Sequence, residues 1–290
     1  MKKRRKRASL YIFLGLILIA ATLWAHSNLV IQKTGFSVVS PKISAESIKI
    51  VFISDLHDRQ FGKYNSYLVS IINKENPDLV LFGGDMVNSD TENTSKFFEF
   101  AKTIAQKFET YMVMGNHEEM MPKHIFEKLK NSLSENGVKI LDNETVSLDI
   151  NETTINLFGV MLPLYTYSGV EDSGEPKYSM TAEQLTSLFG EIDSNAYNIL
   201  LAHNPLFFSE YAKWGADLIL SGHIHGGIVR VPFVGGIFSP NGEIFPEYDA
   251  GEYILDSSKM IVTRGLAEYI APLRLFNPAE VCVVELGDSN

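Results

Sequence analysis

The sequence of 290 residues predicts an α/β domain preceded by one N-terminal transmembrane helix. Between residues 48 and 137, apolar β-branched runs alternate with stretches of helical spacing, as in parallel βαβ units. A long uncharged segment precedes this domain. In addition, short blocks that combine His with Asp, Asn or Gly end several of the apolar runs. Because these blocks are spread along the chain and must converge to act together, we expect one large domain rather than two small ones.

The N-terminal segment has the composition of a signal anchor. Residues 2–7 are all basic, and no charged residue follows before residue 33. A helix over this stretch can cross roughly 30 Å of hydrocarbon. By the positive-inside rule, the basic flank stays in the cytoplasm and the domain lies on the extracytoplasmic side of the cell membrane. We therefore assign residues 1–7 to a basic cytoplasmic flank, 8–32 to a single-pass anchor, 33–47 to a tether and edge strand, and 48–290 to the main domain.

Three other interpretations of this segment remain open. A cleaved secretory signal would end near Ala25, although residues 23–25 form a poor small-x-small cleavage site. Arg4 and Arg5 suggest a twin-arginine signal, but the residues that follow match one poorly. A buried core helix is the third alternative, and the dense basic flank argues against it.

The elements of the main domain are predicted from periodicity and from their end signals. In the first half, strands are expected at residues 48–54, 78–84 and 111–114, and helices at 64–75, 94–108 and 123–136. Residues 138–161 alternate in the manner of hairpins. A helix is then expected at 181–190, with Thr181 as its cap and Gln184 three residues later. Further strands are expected at 198–202, at 217–221 and in the tail between residues 253 and 286.

The composition excludes several classes of function. Cys282 is the only cysteine, so the chain has no intramolecular disulfide framework and no thiolate cluster. We expect it to pack as a small apolar residue in a strand over residues 280–286. Six of the 25 basic residues lie in the N-terminal flank, so the rest of the chain has 19 basic and 35 acidic residues. This balance argues against a nucleic-acid partner, and an anionic substrate would need metal ions to offset the repulsion.

Five short blocks carry residues with metal-ligand chemistry. In chain order they are Asp55-Leu56-His57, Gly84-Asp85, Gly115-Asn116-His117-Glu118, Ala202-His203-Asn204 and Gly222-His223-Ile224-His225. Carboxylate oxygens, an amide oxygen and imidazole nitrogens suit Mn2+, Fe2+ or Zn2+. Residues two apart on an extended segment face the same side, so one ion could take both polar members of the first block. Each block alone is a common loop sequence, and only the whole set predicts a site for two ions.

The ordered set resembles the calcineurin-like metallophosphoesterase superfamily, whose pattern is D-x-H, G-D, G-N-H-[ED], H and G-H-x-H. Residues 221–227, 263–266 and 272–280 are further similar to a branch of membrane-associated bacterial phosphodiesterases of the YkuE and YaeI type. The resemblance covers the chain from residue 48 to the C-terminus. It implies a four-layer α/β/β/α metallophosphoesterase sandwich with a dinuclear site at the edges of the sheets.

The resemblance also assigns roles by position. Asp55, His57 and His225 would hold one ion, and Asn116, His203 and His223 would hold the other. Asp85 would bridge the two ions, and a hydroxide held between them would attack phosphorus in line.

His117 would act as the general acid or would steady the leaving oxygen. One departure from the pattern concerns this residue. The protein-phosphatase branch of the superfamily has an Asp three residues after the bridging Asp, where this chain has Asn88. His117 would then lack a carboxylate partner from that position.

Three arginines and one apolar segment are further candidates for contact with the substrate. Arg230, Arg264 and Arg274 could each pair with two phosphate oxygens, although a structural role is the alternative for each. Residues 228–245 are rich in Val, Phe and Ile and could form an apolar lip that faces lipid. Packing within strands is the interpretation that we favour for this segment.

Together these inferences predict a membrane-anchored phosphoesterase with two divalent ions, of which Mn2+ is the first choice. The expected target is a phosphodiester or pyrophosphate bond in a lipid-linked or envelope molecule, because an anchor raises the local concentration of such a substrate. A phosphomonoesterase or nucleotidase acting on soluble extracellular substrates is the alternative. A metal-stabilised envelope module without turnover is the non-enzyme alternative.

Overall fold

The computed structural model describes residues 2–44, 46–167, 180–240, 242–268 and 274–288. Pro272 and Leu273, which belong to the branch resemblance, lie outside the described residues. The helices are α1 (Lys2–Leu29), α2 (Ser66–Glu75), α3 (Ser95–Ala105), α4 (Asn116–Glu119), α5 (Lys123–Glu135), α6 (Ala182–Phe189) and α7 (Phe208–Trp214). The strands are β1 (Ile31–Val39), β2 (Ile48–Ile53), β3 (Leu79–Phe82), β4 (Glu109–Met112), β5 (Val138–Ile140), β6 (Glu144–Ile150), β7 (Thr153–Val160), β8 (Tyr197–Ala202), β9 (Leu218–Ser221), β10 (Arg230–Val231), β11 (Gly235–Gly236), β12 (Gly251–Leu255), β13 (Ser258–Val262) and β14 (Ala279–Gly287).

The first sheet has the strand order β1-β14-β2-β3-β4-β5. Strands β2 to β5 run parallel, since each is joined to the next by a crossover through α2, α3 or α5. β14 pairs antiparallel with β2 and parallel with β1. Almost every residue of β2 and β3 is buried, which explains why these strands appear in the sequence as continuous apolar runs.

The second sheet has the order β12-β13-β9-β8-β7-β6. Its four inner strands run parallel, and an antiparallel hairpin partner closes each edge. The carboxyl ends of the four parallel strands therefore lie at one edge of this sheet, as they do in the first sheet.

Three apolar clusters separate four layers. The helices α2, α3 and α5 cover one face of the first sheet through side chains such as Leu68 and Leu133. The two sheets face each other through a second cluster that contains Ile50 and Leu201. A third cluster, around Tyr211, joins α6 and α7 to the second sheet. The α/β/β/α sandwich implied by the resemblance is therefore confirmed.

Most of the predicted elements are present, although several strands have other bounds than expected. The runs at residues 78–84 and 111–114 contribute the strands Leu79–Phe82 and Glu109–Met112, because the chain leaves the sheet before the polar blocks. The predicted cap at Thr181 is confirmed, since its hydroxyl accepts a hydrogen bond from the Gln184 amide. Cys282 is buried in β14, as expected. Helix α7 was not predicted, because its single apolar face is too short to show a period.

The prediction that residues 228–245 pack within strands is wrong for several apolar side chains. β10 and β11 have two residues each and pair with each other in a small separate sheet. Phe233 and Val234 are exposed, because so short a hairpin covers few of its own side chains, and Phe245 further along the chain is exposed as well.

The N-terminal helix passes almost directly into the first sheet. Within α1, the stretch Tyr11–Leu29 is long and apolar enough to cross a membrane, and only 11% of it is buried. Val30 alone separates the helix from β1, which takes the predicted edge position. The boundary drawn at residue 32 therefore needs correction, because Ile31 and Gln32 already belong to the strand.

Candidate metal centre

The seven candidate ligands lie where strands of both sheets end. Asp55 and Asp85 follow β2 and β3, and Asn116 begins the short helix α4 after β4. His203 follows β8 directly, and the two histidines of the last block follow β9. Because the two sheets face each other, these strand ends bring the seven side chains into one region, where each is at most 9% exposed.

One group of candidate ligands is formed by Asp55, His57 and His225. One ligand atom from each lies within 4.8 Å of the other two. The Nε2 atoms of the two imidazoles are 3.1 Å apart, and the Nε2 atom of His225 is 3.3 Å from Oδ1 of Asp55. Such convergence of lone-pair atoms in a buried region is what a divalent ion requires.

A second group is formed by Asp85, His203 and His223, again with ligand atoms within 4.8 Å of one another. Nε2 of His203 lies 3.1 Å from Oδ2 of Asp85 and 3.9 Å from Oδ1 of Asp55, which places it between the two carboxylates. Among the described residues, neither this Nε2 atom nor the buried Oδ1 of Asn116 has a partner in hydrogen-bonding geometry. A cation would satisfy both atoms, so the donor set fits a metal site.

The opposite nitrogen of three imidazoles is held by the protein. Nδ1 of His203 lies 2.7 Å from the carbonyl oxygen of Gly83, and Nδ1 of His57 lies 2.9 Å from Oδ1 of Asn88. Nδ1 of His225 lies 2.8 Å from a carboxylate oxygen of Glu268. An acceptor at Nδ1 fixes the proton on that atom and turns the lone pair of Nε2 towards the site.

The electrostatics of the site favour bound cations. Burial alone would lower the pKa of His203 and His225, but neighbouring carboxylates raise these values to about 9 and about 10. For Asp55 and Asp85 burial acts in the opposite direction, and the imidazoles nonetheless hold both pKa values below the usual range. Two ionised carboxylates in a buried region therefore attract either protons or metal ions.

The pKa values of the other two candidate ligand histidines, His57 and His223, are shifted in the opposite direction. Burial is the main cause that lowers the pKa of His57 to about 4 and of His223 to about 3, with further lowering from the neighbouring imidazoles. These two rings are therefore neutral at pH 7 and are ready to act as ligands.

The backbone of the site is strained. Five candidate ligands have a positive φ, at 54° for Asp55, 46° for His57, 53° for Asp85, 69° for His223 and 54° for His225. Residues other than glycine rarely adopt a positive φ, and a concentration of them at one place is typical of functional sites. Close packing adds to the constraint, because a Cβ atom on Gly222 would lie 2.5 Å from Oδ2 of Asp55.

Glu118 joins two of the loops that carry ligands. Its buried carboxylate accepts hydrogen bonds from the amides of Asp85 at 2.8 Å and Met86 at 2.6 Å, and from that of Gly115 at 2.9 Å. Burial and the nearby carboxylate of Asp85 raise the pKa of Glu118 to about 7. The last residue of the G-N-H-E block therefore supports the ligand loops.

In the protein-phosphatase pattern, the residue at the position of Asn88 orients the catalytic His, which is His117 here. Asn88 instead supports His57, and the amide of Ser89 lies 3.3 Å from Nδ1 of His117, to which it donates. The imidazole of His117 packs against that of His57, with 4.7 Å between the ring centroids. His117 thus lies beside the candidate ligands, and its Nδ1 acts as an acceptor.

The guanidinium groups of the three candidate arginines all have partners within the protein. Arg274 is fully buried, and its Nε donates to Glu268 at 2.8 Å. Arg264 forms an ion pair with Glu280 at 2.6 Å, and Arg230 forms one with Asp249 at 3.1 Å. These contacts give each arginine a structural role in this state of the protein.

Two residues of this site were not identified from the sequence. Glu268 holds His225 and is held in turn by Arg274. The ring of Tyr167 packs against His223, with centroids 4.9 Å apart. Neither residue belongs to a block, and each reaches the site through a contact that no sequence spacing reveals.

Comparisons with known proteins show which family the chain resembles. The sequence model of the calcineurin-like phosphoesterase family matches residues 48–227. The phosphodiesterase YaeI of Escherichia coli is 29% identical over 248 residues, covering 84% of this chain and 84% of that protein. The metallophosphoesterase YkuE of Bacillus subtilis is 28% identical over 254 residues, covering 84% of this chain and 81% of that protein.

A metallophosphoesterase of Campylobacter jejuni is 25% identical over 246 residues, which cover 83% of this chain but 59% of that protein. The family match extends from β2 to the last ligand block and so includes all seven candidate ligands. The chain therefore belongs to the calcineurin-like phosphoesterase family, whose members are metal-dependent phosphoric ester hydrolases.

Proposed function

We propose that this enzyme is a membrane-anchored phosphoesterase that uses two divalent ions, with Mn2+ as the first choice, to hydrolyse a phosphodiester or pyrophosphate bond. The position of Asp85 is the observation that carries the proposal. Its carboxylate belongs to the group with His203 and His223 and also to a group with His57 and His117. A carboxylate shared in this way suits two ions about 3.5–4 Å apart, for which it would act as a bridge.

Each of the two ions would be held by its own set of three residues. Asp55, His57 and His225 would hold one ion, and Asn116, His203 and His223 the other. Divalent ions bound there would lower the pKa of water beside the phosphate and would offset the negative charge of the phosphate group. This compensation matters because the chain is acidic, with 35 acidic against 25 basic residues.

His117 would donate a hydrogen bond to the leaving oxygen. Because the amide of Ser89 donates to Nδ1, the neutral imidazole carries its proton on Nε2. Burial lowers the pKa of His117 and outweighs the carboxylate of Asp85, so the ring is neutral at pH 7. This arrangement favours a neutral donor over a protonated imidazolium acid.

A lipid-linked or envelope phosphate ester is the proposed substrate class. One relative at 29% identity carries the name phosphodiesterase. The apolar helix α1 would hold the enzyme in the cell membrane with its domain outside the cytoplasm, and this location raises the local concentration of membrane-borne substrates.

The test uses the full chain in detergent, with bis-p-nitrophenyl phosphate and p-nitrophenyl phosphate as substrates. We expect faster hydrolysis of the diester, its loss with a chelator and its recovery with Mn2+. Asp85→Asn should lower the rate by more than the roughly 10–100-fold that is typical for residues that only support a ligand. The same variant should lose bound metal, as measured by elemental analysis.

Asp256→Asn is the matched control, because Asp256 is exposed and has a positive φ that Asn also tolerates. It should keep both the rate and the metal content of the unsubstituted chain. Faster hydrolysis of the monoester would contradict the diester assignment. Retention of metal without hydrolysis of either compound would contradict the proposed phosphodiesterase activity and would favour a metal-stabilised module without turnover.

A further inference from the structure

An exposed group of apolar side chains lies next to the last ligand block. We call it the apolar lip, and its members are Val231, Phe233, Val234, Ile244, Phe245 and Phe276. Phe233 is fully exposed, and Ile244 and Phe245 are 63% and 58% exposed. Exposed apolar side chains that are concentrated in one part of a folded domain, rather than scattered singly, are typical of a contact with a partner or with a membrane.

The lip adjoins the end of α1. A cavity of about 570 Å³ is lined by Phe233 and Phe276 of the lip together with His26 of α1 and Gln32 of β1. The lip therefore lies beside the end of α1, where Leu29 is also exposed. Whatever environment surrounds the end of α1 also surrounds these side chains.

The strand register shows which end of the domain faces the helix. Ile31, directly after α1, pairs with Ala279 at the start of β14. β14 runs antiparallel to β2, and Cys282 pairs with Phe52, just before the strand ends and Asp55 follows. The helix therefore joins the domain at the sheet edge that carries the candidate ligands.

Hydrogen bonds fix this junction. Nδ2 of Asn28 donates to the carbonyl oxygen of Arg274 at 2.8 Å, and the amide of Asn277 donates to Oγ of Ser27 at 3.3 Å. Nδ2 of Asn277 donates to the carbonyl oxygen of His225 at 2.7 Å. The end of α1 is thus two hydrogen bonds away from a candidate metal ligand, and no flexible tether separates the helix from the domain.

Charge indicates what covers the lip. The arginines that line the cavity are paired, Arg230 with Asp249 and Arg264 with Glu280, so the described part of this surface lacks the spare positive charge that an acidic partner would need. Apolar side chains next to a membrane-spanning helix are instead suited to the interface between headgroups and acyl chains.

We propose that the apolar lip lies in the lipid bilayer beside α1, so that the candidate metal centre works on phosphate groups held at the membrane surface. The statement about substrate rests on the proposed function above. The contact between the lip and the bilayer rests only on the proposed membrane anchor α1 and not on the hydrolytic activity, so the two parts are tested separately.

The first test measures the depth of the lip in the full chain, reconstituted in phosphatidylcholine vesicles with or without brominated acyl chains. Phe233→Cys is labelled with bimane, and Val39→Cys is the matched control. Val39 is also apolar and exposed, but it lies at the far end of β1, about 26 Å from Ile31 along the strand. Cys282 is buried, and the unsubstituted chain checks that it remains unlabelled.

We expect brominated lipid to quench the probe at position 233 at least about twofold more than the probe at position 39. Equal quenching at both positions, or no quenching at position 233, would overturn the proposal. Absence of quenching at position 233 is also the result expected if another copy of the chain covered the lip.

The second test measures hydrolysis by the unsubstituted chain and by a variant with both Phe233→Ser and Phe245→Ser. On a phospholipid diester in the same vesicles, the variant should be slower by about tenfold or more, because α1 still anchors it but the lip no longer holds the metal centre against the membrane surface. On bis-p-nitrophenyl phosphate, which is soluble, it should match the unsubstituted chain. Equal losses on both substrates would overturn a role of the lip in substrate access. If the unsubstituted chain hydrolysed neither compound, the proposed function would fail, whereas the quenching result would still decide the membrane contact.

Discussion

His203 and His225 must each give up a proton before they can bind an ion. Carboxylates raise the pKa of these residues to about 9 and about 10, so both imidazoles are protonated at pH 7 in the metal-free protein. An imidazole ligates only in its neutral form, and protons therefore compete with the metal. His57 and His223, whose pKa values are lowered, present no such competition.

This difference predicts how stability depends on pH. The folded pKa values of His203 and His225 lie above the ordinary value of 6.5, so their contribution to stability is complete below pH 6.5 and is lost as pH rises through about 9 and 10. The melting temperature of the metal-free protein should fall over this range. The increase in melting temperature caused by Mn2+ should grow over the same range, because fewer protons compete.

Differential scanning fluorimetry with a chelator and with Mn2+ measures both trends. His124→Ala is the control, since this histidine is exposed and lies outside the ligand groups. An increase in melting temperature that is the same at every pH would show that His203 and His225 do not bind the ion.

At the scale of elements, the segment after β13 positions a ligand that another strand supplies. Glu268 accepts from Nδ1 of His225 with one oxygen and from Nε of Arg274 with the other. Arg274 is fixed in turn by the carbonyl oxygens of Gly265 at 3.0 Å and Ala267 at 3.2 Å. The ring of His225 is therefore oriented by a chain of buried contacts.

We expect Glu268→Gln to weaken metal binding or activity by about 10–100-fold, because the amide accepts less strongly and no longer balances Arg274. Metal titration and kcat/KM measure the effect. Glu252→Gln, which alters an ion pair with Lys259 at the outer edge of the second sheet, should change neither quantity. Unchanged metal affinity in Glu268→Gln would remove Glu268 from the site.

The same elements show what a sequence can and cannot predict. The ends of β2 and β3 are predictable, because an apolar run stops at a polar block in each case. Glu268 is not predictable, since it meets His225 across 43 positions and leaves no periodic signal. Arg274 is a residue type that often binds phosphate, and the sequence alone could not show that it is buried against Glu268. The roles proposed for the seven ligands remain predictions, although the fold brings their side chains together.

At the scale of the whole molecule, the N-terminal strand completes the domain. β1 pairs along all nine of its residues with β14 and contributes Val38 to the cluster between the sheets. The family match begins at residue 48, and thus excludes this strand. Without β1, the apolar strand β14 would become an open edge, which is a template for aggregation.

We therefore expect a chain shortened to residues 27–290 to be monodisperse, whereas one shortened to residues 48–290 should aggregate or melt at a lower temperature. Size-exclusion chromatography and thermal melting compare the two. The longer version keeps β1 together with Ser27 and Asn28, which are hydrogen-bonded to the domain. Equal behaviour of both chains would show that β1 is dispensable.

The single residue between α1 and β1 has a consequence for selectivity. A hydrolase on a long flexible linker samples many distances from its anchor. One joined to its helix by a single residue holds its site at a nearly fixed distance. With α1 as the proposed membrane anchor, molecules with the right chemistry would escape cleavage if their scissile bond lay too far from the lipid surface. Inserting a flexible spacer at Val30 would increase the distance from the lipid at which a bond can be cleaved. The range of molecules hydrolysed by the enzyme would then widen.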